Sequence, residues 1–341
     1  MVEGGGITVK SRECSLPSCR VENVCSFSFS PECATRLTRE SQLWSEKVLV
    51  ALKLGVKIIF FPITLLVYLF YKFCANYVSS VGLGNEAIAR NINSNKRLQL
   101  ISLGGKEILF GFKGESLLEG MFFQSDSTNS NSKTILICAG SHLSYEEYTV
   151  PMIKALQSMG HNVMVFNYEG FGNSEGTISE KGIYRSVEAA YQYLKQEKKC
   201  GDKHIIGWGY SLGSAAVSDL ASKHKVDIVI DRGFSSMSEV AYHKAPWGLK
   251  TIAKIIFLVG AQFDNLSKLK KSLGKVFIAQ GTRDTTMVEE YHGKFLEKAV
   301  CNHQFATFRR VDSEHEHGDK VWFGIGEDRA VVEQFLSQVC I

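Results

Sequence analysis

The chain has 341 residues, of which 45% are hydrophobic and 22% are charged, and its formal net charge is +4. This composition is typical of globular proteins, and the length suits one large domain with an extra segment, or two domains. A charge of +4 over so long a chain, with no basic stripe among aromatic residues, predicts no nucleic-acid partner.

Four of the nine cysteines lie in the first tenth of the chain, at positions 14, 19, 25 and 33. Their spacing contains no C-x-x-C pair and no neighbouring histidine, so it predicts no zinc site. Scattered single cysteines elsewhere favour a reducing compartment. We predict a polar, cysteine-containing tail over residues 1–46, for which disulfides and acylation both remain open.

The next feature is an apolar block, Ile58 to Tyr71, with Lys57 and Lys72 at its ends. A bilayer-spanning helix needs about 20 residues, and the lysines could snorkel to extend this block to that length. The pattern predicts a membrane segment over residues 47–80, as a single span or a monotopic anchor, with a buried core helix as the alternative. Similar numbers of Lys and Arg on both sides leave its orientation undecided. A linker over residues 81–95 follows.

From residue 96 onward, predicted strands alternate with predicted helices. Three antiparallel strands come first, at residues 97–102, 107–112 and 117–124. Continuous apolar strands then alternate with helices, which predicts an α/β fold with a mostly parallel sheet covered by helices on both faces. The strands lie at 134–138, 162–168, 204–208, 227–230, 276–279 and 306–311, and the helices at 150–159, 180–196, 214–221, 288–300 and 328–339.

The pentapeptide Gly209-Tyr210-Ser211-Leu212-Gly213 lies where the predicted strand 204–208 turns into a helix. A serine on a sharp strand-to-helix turn needs small neighbours, so that backbone and helix can approach closely. Its hydroxyl then stands clear of the chain near the N-terminus of a helix, whose dipole favours negative charge. Ser211 is therefore the candidate nucleophile.

Together with two later segments, this pentapeptide resembles the α/β-hydrolase superfamily over about residues 96–341. The segment 168–176 resembles the family's D-x-R-G-x-G-x-S-x-G motif, from which Asn167 and Glu169 depart, and Gly281-Thr282-Arg283-Asp284 resembles its G-x-x-D turn. The resemblance implies a Ser, Asp, His order along the chain. It assigns Asp284 as the acid, with Asp231 as a rival.

For the base, the resemblance favours His317, which Gly318-Asp319 follow, with His315 as the alternative. His161 and His204 are predicted to precede strands at the opposite edge of the sheet, and His224, His292 and His303 to lie on helices or surface loops. The resemblance also implies an oxyanion hole made of the backbone N–H groups of Leu212 and Ser141. The family's usual His-Gly is replaced before Ser141 by Ala139-Gly140.

These patterns predict a membrane-anchored serine hydrolase that cleaves an acyl ester or thioester through an acyl-enzyme. An apolar lid around residues 237–272 favours a hydrophobic acyl chain. A peptidase of the same fold and a non-catalytic membrane scaffold are the alternatives. We expect no cofactor and no metal, while the oligomeric state, the substrate and the membrane remain open.

Overall fold

The structure is a computed structural model that describes residues 7–10, 90, 92–126, 132–141, 144–259, 262–301, 308–319 and 327–337. These residues belong to one compact unit, formed by residues 1–12 and 76–341. The predicted membrane segment and most of the predicted tail and linker lie outside the described residues. Among the helices that are described, none has both the length and the apolar character needed to cross a membrane.

The strands of the described part of the chain form one mixed sheet, in the order β1-β2-β3-β5-β4-β6-β7-β8-β9. Strands β1, β2, β3 and β5 are joined by antiparallel pairings, and all the pairings from β5 through β4 to β9 are parallel. The carboxyl ends of the parallel strands therefore share one edge, where ligands bind in open α/β sheets. The strands are β1 Ile7–Lys10, β2 Gly105–Phe112, β3 Leu118–Phe123, β4 Thr134–Cys138, β5 Asn162–Phe166, β6 Ile205–Tyr210, β7 Asp227–Asp231, β8 Val276–Gly281 and β9 Phe308–Ser313.

Alternate side chains of the central strands belong to two separate cores. Leu136 and Cys138 of β4 pack in one core with α4 and α5, whereas Ile135 and Ile137 pack in the other with α1, α3 and α10. Each face of the sheet is thus covered by helices, as the continuous apolar strands predict. The helices are α1 Ser94–Ser102, α2 Tyr145–Tyr148, α3 Val150–Ser158, α4 Glu180–Gln196, α5 Gly213–Lys223, α6 Met237–Lys244, α7 Lys250–Val259, α8 Asn265–Leu269, α9 Gly293–Val300 and α10 Glu327–Ser337.

The stretch 97–102 is helical, so the strand predicted there is wrong. The side chain of Asn93 accepts a hydrogen bond from the Lys96 N–H and caps the first turn of α1. Leu98 is 64% exposed and Leu100 is fully buried. Residues two positions apart would share one face of a strand, whereas in a helix they point to opposite sides, as these two leucines do.

Two further boundaries differ from the prediction. Residues Ile7–Lys10, predicted to be part of the tail, pair with β2 at the edge of the sheet. Ile7, Thr8 and Val9 are β-branched, which suits a strand. Helix α9 begins at Gly293 rather than at Val288, because residues 282–292 form turns that lead out of β8.

Helices α6, α7 and α8 and a short 3₁₀ turn, Trp247–Leu249, lie between β7 and β8 in the chain. They fill the stretch predicted to form a lid. Trp247 is 92% exposed and Ile255 is 55% exposed, so part of this segment presents large apolar side chains to solvent.

Candidate active site

The strand-to-helix elbow lies between β6 and α5, and its geometry depends on two glycines. Ser211 has a φ of +50°, in the left-handed region that residues other than glycine rarely adopt. A Cβ atom on Gly209 would lie 2.3 Å from the Gly213 carbonyl oxygen, and one on Gly213 would lie 1.9 Å from the Cys138 carbonyl oxygen. Strand and helix therefore approach closely only because both positions are glycine.

Asp284 lies on the turn that leaves β8, and its carboxylate is held by the backbone. Its Oδ1 accepts hydrogen bonds from the N–H groups of Thr286 (2.8 Å) and Met287 (2.7 Å). Burial alone would raise the pKa of Asp284. The hydrogen bond and charge of His317, together with the two N–H groups, outweigh burial and hold this pKa below its ordinary value.

His317 connects Asp284 to Ser211. Its Nδ1 lies 2.7 Å from Asp284 Oδ2, and its Nε2 lies 3.0 Å from Ser211 Oγ. An ionised carboxylate only accepts hydrogen bonds, so Nδ1 carries the proton and Nε2 faces the serine hydroxyl as an acceptor. This is the line of contacts that a serine nucleophile and its base require.

The loop that carries His317 crosses the end of β8 at very short distance. A Cβ atom on Gly281 would lie 2.3 Å from the His315 carbonyl oxygen and 3.2 Å from Asp284 Cβ. Gly281 therefore allows the acid turn and the histidine loop to meet.

The structure brings only one of the two candidate bases to Ser211. The Nδ1 atom of His315 lies 3.2 Å from Asp319 Oδ2, and its Nε2 atom lies 3.8 Å from Asp328 Oδ2. The rival acid is also engaged elsewhere, because Asp231 accepts a hydrogen bond from Arg232 Nε at 2.7 Å.

The two predicted oxyanion donors lie on segments beside Ser211. Leu212 follows Ser211 directly and is buried at the start of α5. A Cβ atom on Gly140, the residue before Ser141, would lie 3.5 Å from Ser211 Cβ and 3.0 Å from the Tyr210 ring. The loop after β4 thus adjoins the serine, and the donor roles of Leu212 and Ser141 remain a prediction.

The departures from the family motif are compensated by residues from other segments. Asn167 Nδ2 donates to Glu119 Oε1 at 2.8 Å, so a carboxylate is still present beside this turn. Glu119 also forms an ion pair with Arg97 at 2.7 Å. Glu169 stands where the family usually has a basic residue, and it pairs with the guanidinium of Arg185. No local pattern signals these partners, which are distant in sequence.

His292 is the histidine that the sequence prediction misplaced. It is only 2% exposed, and its Nδ1 lies 3.1 Å from Ser235 Oγ. Burial, with a smaller contribution from the charge of His243, lowers the pKa of His292 to about 4. The residues that the structure describes contain no group of three or more His, Cys, Asp or Glu side chains arranged to hold a metal ion.

Comparisons with known proteins agree with this fold. The family described as "Chlamydia CHLPS protein (DUF818)" matches residues 121–320. The chain is 36% identical over 87 residues to the lysophosphatidylserine lipase ABHD12 of Danio rerio, and this alignment covers 26% of this chain and 21% of that protein. It is 23% identical over 154 residues to protein bem46 of Schizosaccharomyces pombe, and this alignment covers 44% of this chain and 52% of that protein. The chain thus spans about half or less of the length of these relatives.

Solved structures show the same fold. An α/β hydrolase from Vibrio vulnificus aligns with a TM-score of 0.59 at 23% identity, over 70% of this chain and 85% of that chain. The Pyrococcus furiosus esterase Pf2001 aligns with a TM-score of 0.55 at 21% identity, over 72% of this chain and 93% of that chain. The family match covers more than half of the chain, which therefore belongs to the family described as Chlamydia CHLPS protein (DUF818), within the α/β-hydrolase superfamily.

Proposed function

We propose that this protein is a serine hydrolase that cleaves an acyl ester or thioester. Ser211 is the nucleophile, His317 is the general base and Asp284 orients the imidazole. The observation that carries the proposal is the hydrogen-bonded line from Asp284 through His317 to Ser211, with steps of 2.7 and 3.0 Å. The likeness to a protein named as a lysophosphatidylserine lipase also supports hydrolysis of an ester.

In the first half-reaction, Ser211 Oγ attacks the acyl carbon while His317 Nε2 takes the hydroxyl proton. The tetrahedral adduct then collapses, the bond to the leaving alcohol or thiol breaks, and His317 returns the proton to that group. In the second half-reaction, water attacks the acyl-serine with His317 again as base, which releases the carboxylic acid and restores Ser211. Asp284 stabilises the imidazolium in both steps.

The negative charge that develops on the acyl oxygen needs nearby donors. We assign the backbone N–H groups of Leu212 and Ser141 to this role, since both residues belong to segments that adjoin Ser211. The N-terminus of α5, which begins at Gly213, favours negative charge at the same place. Removing one donor of an oxyanion hole typically lowers the rate by about a hundredfold to a thousandfold, on the order of 3 to 4 kcal/mol.

The preferred substrate is an acyl group with a hydrophobic chain. Support comes from the lid segment, in which Trp247 and Ile255 expose apolar side chains while Lys250 and Lys254 lie over the Tyr242 ring at 5.6 and 5.4 Å. Exposed apolar side chains of this kind suit contact with an apolar ligand. Peptide substrates are the competing class, which a lid of this size would also admit.

Labelling with a fluorophosphonate tests the chemistry, because Ser211 Oγ would attack phosphorus and displace fluoride. We expect the purified full chain to be labelled and to hydrolyse p-nitrophenyl esters, faster for longer acyl chains. Ser211→Ala should abolish labelling and lower kcat/KM by about a thousandfold or more. The matched control is Ser218→Ala, which removes a buried serine of α5 outside the triad and should label normally.

A folded wild-type chain that resists the probe and cleaves no ester would favour the non-catalytic scaffold. Peptide cleavage without ester preference would favour the peptidase.

We further propose that residues 47–80 anchor the hydrolase domain to a membrane, as the charge-free apolar run from Ile58 to Tyr71 indicates. The full chain should remain with membranes after a carbonate wash. Replacing both Leu65 and Leu66 by Lys should release it, because charged residues in the bilayer centre are costly. The control is Leu98→Lys on the exposed face of α1, which should stay attached. A wild-type chain that washes off would contradict the anchor.

A further inference from the structure

Asp231, the last residue of β7, forms a buried ion pair with the next residue, Arg232. This pair lies outside the hydrogen-bonded line of the candidate triad. Both residues are only 1% exposed, and Arg232 Nε lies 2.7 Å from Asp231 Oδ1. Arg232 also has a φ of +46°, a conformation that costs free energy in a residue with a side chain. A buried ion pair loses much of its attraction to the cost of removing two charges from water, so it is weak evidence for added stability. We therefore expect this pair to have another role.

The guanidinium of Arg232 binds the backbone of the loop that carries His317. Its Nη1 lies within hydrogen-bond distance of three carbonyl oxygens, those of Glu316 (2.9 Å), His317 (3.2 Å) and Asp319 (2.5 Å). The Tyr210 hydroxyl also donates to the His317 carbonyl oxygen. The peptide groups on both sides of the imidazole are therefore held by side chains that belong to β6 and to the end of β7.

The same short segment also holds the nucleophile. The Ser211 N–H donates to the Asp231 carbonyl oxygen at 3.0 Å. Tyr210 lies between the two contacts, with the Arg232 guanidinium 4.8 Å from its ring centroid and the His317 ring 5.4 Å away. Asp231 thus binds the backbone of Ser211, and the next residue, Arg232, binds the backbone of the His317 loop. Both contacts are made at the end of β7.

We propose that Arg232 is a positioning residue, which holds the His317 loop so that Nε2 stays within hydrogen-bond reach of Ser211 Oγ. This inference rests on the proposed hydrolase function. It explains the choice of arginine, since the planar fork of the guanidinium can bind a carboxylate on one side and carbonyl oxygens on another. The single ammonium of lysine cannot span both sets.

Loss of the guanidinium should slow the reaction without changing substrate binding. Asp284 would still bind the imidazole, but the loop would lose its contacts to Arg232, and a misplacement of about 1 Å can cost a hundredfold in rate. We therefore expect Arg232→Met to lower kcat about a hundredfold at unchanged KM, and Arg232→Lys to fall between this variant and the wild type.

The experiment separates rate from the fraction of intact sites. The full chain is labelled with a fluorophosphonate to its end point, which counts competent sites, and the second-order rate constant of labelling is measured per competent site. Because Arg232→Met leaves Asp231 buried without its partner, the double variant Asp231→Asn with Arg232→Met is measured alongside it. The matched control is Arg185→Met, which removes the ion-pair partner of another buried carboxylate, Glu169.

Full labelling at the end point with a slow rate constant in the Arg232 variants, and a normal rate constant in Arg185→Met, would support the proposal. A wild-type rate constant per competent site, whether the end point is full or reduced, would overturn it and make Arg232 a purely structural residue. A folded wild-type chain that is never labelled would overturn the hydrolase function and this inference together.

Discussion

The strained backbone at Ser211 allows a stability measurement that does not depend on catalysis. Its φ of +50° places a residue with a Cβ in the left-handed region, which costs about 1 to 2 kcal/mol. Replacing Ser211 by Gly removes this cost, and replacing it by Ala keeps it. Both variants lack the hydroxyl and should be inactive, so the comparison isolates the backbone.

The expected difference follows from two opposing contributions. Glycine avoids the left-handed strain but loses more conformational freedom on folding, which costs roughly 0.5 to 1 kcal/mol. The midpoints of these two ranges differ by about 0.8 kcal/mol, so Ser211→Gly should be more stable than Ser211→Ala by about that amount. The free energy of unfolding of the full chain, from urea titrations followed by tryptophan fluorescence, measures this difference, since Trp208 is fully buried in β6.

A matched pair at Ser218 should show the opposite order. Ser218 lies inside α5, where Ala is favoured over Gly by about 1 kcal/mol. If Ser211→Gly is no more stable than Ser211→Ala while the Ser218 pair shows the helical order, the elbow stores no backbone strain and the reasoning is refuted.

Three other predictions concern the candidate acid, the buried His292 and a glycine of the elbow. Asp284→Asn should lower kcat/KM for ester hydrolysis by about a thousandfold or more, because an amide no longer fixes the histidine tautomer; near-normal turnover would contradict its role. His292 has its pKa lowered from about 6.5 when unfolded to about 4 by burial, so the unfolded chain binds the proton first as pH falls. The contribution of neutral His292 to the free energy of unfolding is fully present above pH 6.5, is smaller by about 2 kcal/mol at pH 5, and is lost as the pH falls through 4. In His292→Gln, the free energy of unfolding should therefore fall by about 2 kcal/mol less than in the wild type between pH 7 and pH 5. Equal falls in the two proteins would argue against this role of His292. Gly213→Ala should cost more than about 3 kcal/mol or abolish folding, because its Cβ would lie 1.9 Å from the Cys138 carbonyl oxygen. Gly201→Ala, whose Cβ would meet its nearest atom at 3.7 Å, should fold with little change.

Local patterns in the sequence were sufficient for the parallel strands and for the elbow. Strands β4, β6, β7 and β8 are continuous apolar runs, which indicate burial on both faces. The elbow could be predicted from adjacent residues, because Gly209, Ser211 and Gly213 lie within five positions. The two glycines allow the close approach of strand and helix that the turn at Ser211 requires. The strand predicted over 97–102 was wrong, because the alternation of Leu98 and Leu100 is too short to distinguish a strand from a helix.

Other features depended on contacts between distant parts of the chain. His315 and His317 lie two residues apart in one loop, and the sequence favoured His317 only through its resemblance to the family, with His315 left as the alternative. In the structure, side chains from β6 and from the end of β7 bind the backbone around His317, while His315 lies beside Asp319. Similarly, Asp231 and Asp284 both follow strands, and Arg232 pairs with the first of them.

The sequence by itself therefore determined the type of each central element, the elbow and the candidate residues, because each of these depends on a pattern within a short stretch of chain. Only the tertiary structure decided which candidates meet, and which partners replace the missing motif residues at Asn167 and Glu169. Glu119 and Arg185 supply those charges from 48 and 16 positions away. The physical reason is that a buried charge must be paired, and the fold selects the partner by distance in space rather than by position in sequence.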